Sequence, residues 1–131
     1  PAGYATYIDS LSTVALLDFS DKIVINHMYP KPGMIGGAIA LIGQLKKVWQ
    51  AGKESVAVYN STLSGNPQFT TVTRLKNGLQ ELADGYRDPL PQRFNAVHGA
   101  GAWAKYLEDY AKYVENRWTE LLVLRADLGS K

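Results

Sequence analysis

The sequence predicts an all-α protein, roughly a four-helix bundle with an additional N-terminal helical or extended arm. Three observations predict it. Residues 33–63 place Ala38, Leu41, Leu45, Val48, Gly52, Val56, Tyr59 and Leu63 in one stripe roughly 80° wide at helical spacing. Residues 102–128 repeat the pattern with Trp103, Leu107, Tyr110, Val114, Trp118, Leu121 and Leu128. Between them, Asn66-Pro67 reads as a helix start, Asn capping and Pro at the first helical position.

Along the chain, residues 1–32 form the arm. Tyr4, Tyr7, Ile8, Leu11, Val14 and Ala15 keep helical spacing, and the reading is a helix followed by a helical or extended arm that ends at Tyr29-Pro30, the β-branched Lys22-Ile-Val-Ile-Asn26 allowing a short strand as the alternative. The Pro30-Lys31-Pro32-Gly33 break ends this arm, and the long amphipathic basic helix, 33–63, follows. The remaining bundle helices occupy 67–128. The first runs through Val72, Leu75, Leu79 and Leu82 to a Gly85 cap, and Pro91 opens a short helix with Phe94 and Val97 inward. After the glycines at 99 and 101 comes the last helix, with Lys105–Asp109 and Glu108–Lys112 as exposed pairs four apart.

A chain of 131 residues fits a single domain, with no composition shift or repeat to mark a second. The absence of cysteine excludes disulfides and thiolate metal sites, and two histidines are too few for most imidazole-built centres. The start, Pro1-Ala-Gly-Tyr, lacks the basic and apolar regions of a signal peptide, so an intracellular origin is the expectation. The most apolar run, Met34 to Leu45, falls short of the ~20 residues of a membrane span.

The inventory for catalysis is poor, and no enzyme or cofactor is expected. His27 and His98 have no Cys, Asp or Glu at ligand or triad spacing. The glycines at 33, 36 and 37 and at 99 and 101 lack the lysine and hydroxyl of a phosphate loop. The aromatics of the last helix, Trp103, Tyr106, Tyr110, Tyr113 and Trp118, read as core or subunit-interface packing.

Charge is the strongest functional signal. The net charge is +2, yet the stretch from Lys22 to Leu79 carries seven basic residues against Glu54 alone, a net +6, leaving −4 elsewhere. Such segregation points to a polyanionic partner. Gly36, Gly43, Lys46, Lys47, Gln50, Lys53 and Glu54 share one helical arc, with Trp49 at its edge. A solvated lysine face is the plain alternative, but glycines on the same arc let something approach the backbone closely. If Lys31, Lys46, Lys47, Lys53 and Lys76 each neutralised one phosphate, log K would fall against log salt with a slope of about −4 to −5. Contacts of that kind hold a backbone without reading sequence.

The segment Lys46-Lys-Val-Trp-Gln-Ala-Gly-Lys53, followed by an Asn-, Ser- and Thr-rich stretch and Asn66-Pro67, resembles the major capsid proteins of filamentous and rod-shaped archaeal viruses. The match covers about Lys47 to Pro67, and in the rod-shaped members the basic aromatic helix stands at the chain's start, whereas some 45 residues precede it here. The resemblance implies a virion subunit, assembled in the host cytoplasm, that wraps double-stranded DNA together with copies of itself or a paralogous capsid subunit. It implies phosphate contacts from Lys46, Lys47, Gln50 and Lys53 and a wedge or packing role for Trp49, with Arg74 and Lys76 as second-line contacts. Lys31 joins them on charge alone. The alternative is an adaptor or self-assembling interaction protein without nucleic acid.

Overall fold

A computed structural model describes residues 5–14, 20–63 and 66–123. It corrects the fold class: the chain is not an all-α bundle but a five-stranded antiparallel sheet with three α-helices. The order is β1 (Ala5–Tyr7), a 3₁₀ turn (Asp9–Leu11), β2 (Lys22–Pro30), α1 (Ile35–Ala51), β3 (Ser55–Leu63), β4 (Asn66–Arg74), a 3₁₀ turn (Gly78–Leu82), α2 (Leu90–His98), α3 (Ala102–Tyr113) and β5 (Val114–Val123). The sheet runs β1-β3-β4-β2-β5. From β2 to β5 this is the β-α-β-β-α-β order of the split β-α-β (ferredoxin-like) arrangement, with β1 added at one edge and the second helical leg broken into α2 and α3.

The long basic helix keeps its inward stripe but stops a dozen residues early. Ala38, Leu41, Ile42 and Val48 are buried. At Gly52 the amide turns back to the Gln50 and Val48 carbonyls, and the Glu54 amide donates to Trp49 O at 2.9 Å, closing the helix into a tight turn. Beyond it, Val56, Val58, Thr71 and Thr73 are β-branched residues that suit a pleated surface, and β3 and β4 pair as a hairpin from Ser55↔Arg74 to Leu63↔Asn66. Pro67, expected to open a helix, is the second residue of β4 instead. Its missing N–H costs little, because pairing of β4 with β2 begins only at Phe69.

The last helix is corrected in the same way. It ends at Tyr113, and Val114–Val123, expected to be helical, pairs with β2 along its whole length. The short helix at Pro91 is present as α2, with Phe94 fully buried but Val97 exposed. In the arm, the extended alternative holds for β2, while Ala5–Tyr7 is a strand rather than a helix. The expectations on Tyr4, Ala15 and Leu128 lie outside the described residues.

The core lies between the helices and one face of the sheet. Val56 and Val58 of β3, Phe69 of β4 and Met28 of β2 meet Ala38, Leu41, Ile42 and Val48 of α1, Phe94 of α2 and Tyr106 of α3. Each Val, Leu, Ile, Phe or Met side chain among them contributes about 1.5–3 kcal/mol on burial. Phe94 is the aromatic hub, 4.9 Å from Tyr106 and 5.4 Å from Trp103 between ring centroids. Gly37 lets α1 and α3 close on each other: a Cβ there would stand 2.5 Å from the Tyr113 ring. Lys105 pairs with Asp109 at 2.9 Å, as expected from the sequence.

Candidate functional site

The chain direction of each element decides where the basic residues gather. β2 runs up from Lys22, α1 returns, β3 runs up again, and β4 returns to Arg74. Arg74 therefore sits opposite both Ser55 and Ile23, and the Leu75 amide donates to Lys22 O at 3.0 Å. The last turns of α1, with Lys47 and Gln50 exposed, and the turn carrying Lys53 lead into β3 at this same end. Five of the eight residues expected at a nucleic-acid site, Lys47, Gln50, Lys53, Arg74 and Lys76, thus belong to one end of the sheet, and Lys22 joins them.

Two acidic groups at that end are already paired. Glu54 holds Arg93 at 2.8 Å, and Asp21 holds Lys22 at 3.0 Å. Lys53 has a φ of 55°, the one non-glycine residue with positive φ among those described. A left-handed backbone there is ordinarily given to glycine or asparagine, so the chain carries a lysine at the turn at some cost in strain.

The other three expected residues are placed differently. Lys31 lies beyond the far end of β2, roughly 30 Å away at ~3.3 Å per residue, and its Nζ donates to Ala111 O at 2.9 Å. Lys46 donates from Nζ to Ser10 O at 2.7 Å, anchoring α1 to the 3₁₀ turn beside β1. Trp49 is half-buried and packs against the core cluster. Gly36 and Gly43 have open space where a Cβ would stand, so close approach to α1's outer side is sterically allowed.

Sequence reasoning missed a second feature, on the sheet face turned away from the helices. One row there crosses all five strands: Tyr7, Tyr59, Thr70, His27 and Trp118. Within it, Tyr7 and Tyr59 meet edge to face at 5.7 Å, and His27 stacks on Trp118 at 3.9 Å. His27 Nε2 is 2.6 Å from Glu120 Oε2 and Nδ1 is 2.8 Å from Gln68 Oε1, so both ring nitrogens are occupied. Trp118 Nε1 donates to the Tyr29 hydroxyl at 3.1 Å. An imidazole held at both nitrogens has no open position for a substrate proton, and this cluster ties β4, β2 and β5 together. The signal that could have found it is the period-two alternation of Ile23, Ile25, His27 and Tyr29.

His98 is likewise committed, its Nε2 donating to Gln44 O at 2.8 Å between α2 and α1. Burial raises the Tyr106 and Tyr110 hydroxyls above the usual tyrosine range, with Arg117 over the Tyr110 ring opposing the shift. Among the described residues, no group of three or more His, Asp or Glu side chains is arranged to hold a metal, and no helix is long and apolar enough to cross a membrane. No protein-family model, curated protein or solved structure matches the chain.

Proposed function

We propose that the protein is a non-enzymatic binding subunit that holds the phosphate backbone of double-stranded DNA at the basic end of its sheet, without reading sequence, and assembles with copies of itself. The observation that carries this reading is the register that brings Lys47, Gln50, Lys53, Arg74 and Lys76 to one end of the sheet. A coat subunit of a helical virion is the setting that the resemblance implies for such an activity.

The fold changes how that role would be carried out. The Asn-, Ser- and Thr-rich stretch of the resemblance is strand, so a clamp of long helical arms is not carried over; a compact end of α1 and the adjoining turns takes its place. Lys31 and Lys46, anchored to carbonyls, act in packing in this reading, and Trp49 supports the helix from below. Reversing charge in the double variant Lys47→Glu/Lys53→Glu should sharply weaken association with a long duplex at low salt while leaving circular dichroism unchanged. Unaltered binding by the folded double variant would contradict the assignment.

A further inference from the structure

The outer sides of β3 and β5 are finished differently. The Leu75 amide donates to Lys22 O, so Lys22, Val24, Asn26 and Met28 turn their backbone groups toward β4, and Ile23, Ile25, His27 and Tyr29 turn theirs toward β5. Carried across the register, this leaves the amides and carbonyls of Val56 and Val58 on the outer side of β3, and those of Arg117, Thr119, Leu121 and Val123 on the outer side of β5. The β3 side is closed. Val58 O accepts from the Ile8 amide and Val56 O from the Thr13 amide, both at 2.8 Å. The amides of Val58 and Val56 donate to the Ser12 and Thr13 hydroxyls at 2.8 and 3.1 Å. The β5 side is open: no strand among the described residues pairs with it, and of its outward amides Arg117 alone is engaged there, donating to Asn116 Oδ1 at 2.8 Å.

Sheets ordinarily blunt such an edge with brevity, lysine, proline or a bulge. β1, at the opposite edge, is three residues long. β5 is ten residues long, and its one irregularity lies at its start, where the register shifts between Tyr29 and Pro30 and passes over Glu115. From Asn116 to Val123 it holds neither lysine nor proline.

We infer that the outer edge of β5 pairs antiparallel with the same edge of a second copy, joining two sheets into one across a two-fold axis perpendicular to them. The inference gives the self-association in the proposed function a place, and it stands on backbone geometry that the DNA contact does not use. Strand inventory selects a second copy. Among the described residues β5 presents the one long open edge, so two copies satisfy each other through it and leave only the short β1 edges outside, which closes the assembly at two.

Charge selects the register. An axis at Thr119 sets Arg117 opposite Leu121, Trp118 opposite Glu120 and Asn116 opposite Leu122, with about six backbone hydrogen bonds across the axis. An axis at Glu120 would oppose two carboxylates, and one at Arg117 two guanidiniums, which is destabilising between directly facing residues. An axis at Trp118 would shorten the regular overlap to residues 116–120. In the Thr119 register Leu121, 48% exposed in one chain, is covered by the aliphatic stem of Arg117 from the second copy.

The test reads that register. The full chain, measured by sedimentation velocity without DNA, should run at twice the 14.4 kDa of one chain. Leu121→Lys puts a lysine opposite each Arg117 and should raise the dimer dissociation constant at least about tenfold, whereas Leu121→Glu gives each Arg117 a partner and should leave it within about threefold or tighten it. The double variant Arg117→Glu/Leu121→Lys should recover the wild-type value within about threefold. Hydrogen exchange supplies a second readout on the unaltered chain, with the Thr119 and Leu121 amides slowing as concentration rises. A wild-type chain that stays monomeric at about 100 μM would overturn the inference and leave the edge to a strand of another protein. So would a dimer weakened alike by Leu121→Lys and Leu121→Glu, the mark of an apolar contact elsewhere, or one in which those two amides gain no protection. DNA binding is measured separately, so failure of the dimer and failure of the basic end are told apart.

Discussion

The two faces of one sheet are made from the same strands and the same kinds of residue, yet they meet opposite fates. Val56, Val58, Phe69 and Met28 lie under three helices and are buried. Ile23, Ile25, Val72, Trp118 and Leu122, on the other face of the sheet, stay partly in water. The difference teaches that the three helices dry the strand residues they lie on, while the opposite face is covered only in part, at Ser55 and Ala57.

The largest effect that sharpens this contrast is truncation under the helices. Phe94→Ala should lower unfolding free energy by about 3–5 kcal/mol in a urea titration, because it empties the hub of the aromatic cluster. Trp118→Ala should lower it by less than about 1 kcal/mol. Equal losses would erase the distinction between the faces.

Next is the close approach of α1 to α3. Gly37→Ala puts a methyl 2.5 Å from the Tyr113 ring, and a loss of about 1–3 kcal/mol is expected. Tyr113→Ala in the same background should recover part of it, a non-additivity that a double-mutant cycle reads directly.

Alkaline pH gives a smaller effect on the covered face. Burial raises the Tyr106 hydroxyl in the folded state, so above the ordinary tyrosine value of about 10 the unfolded chain loses its proton first. The unfolded chain then binds fewer protons, and stability falls as pH rises through that window. Tyr106→Phe should flatten the decline, and an unchanged pH slope between about pH 9 and 11 would refute the burial argument.

The smallest effect is at the strained turn. Lys53→Gly relieves a left-handed backbone and should leave stability unchanged or raise it by up to about 1 kcal/mol, while weakening DNA association. A lysine that costs stability and serves binding would be detected by that opposition.

How much of this was legible in the sequence differs by element. The inward stripe of α1 and the short helix at Pro91 could be read because their apolar residues recur at three and four positions, a spacing no strand reproduces for long. The strands were misread because Val56, Tyr59 and Leu63 also fit that spacing, and because Trp118 and Leu121 extended the apparent helix past Tyr113. Local chemistry did carry the correction: Gly52-Lys53 ends α1, and Thr70-Thr71-Val72-Thr73 is a β-branched run that a helix accommodates poorly. The basic cluster was visible as charge but not as a place. Only the antiparallel return of β4 puts Arg74 beside the turn at Lys53 and sends Lys31 to the other end.

The central claim, that the lysine-bearing end of the sheet grips a duplex backbone, is tested most directly by DNA binding of the full chain across a salt series, using unrelated sequences. With Lys47, Lys53, Arg74 and Lys76 each neutralising one phosphate, log K against log salt should fall with a slope of about −3 to −4, identical for every sequence, and the Lys47→Glu/Lys53→Glu variant should lose at least about 2 of it. A slope near zero, or a steep slope untouched by that variant, would contradict the account.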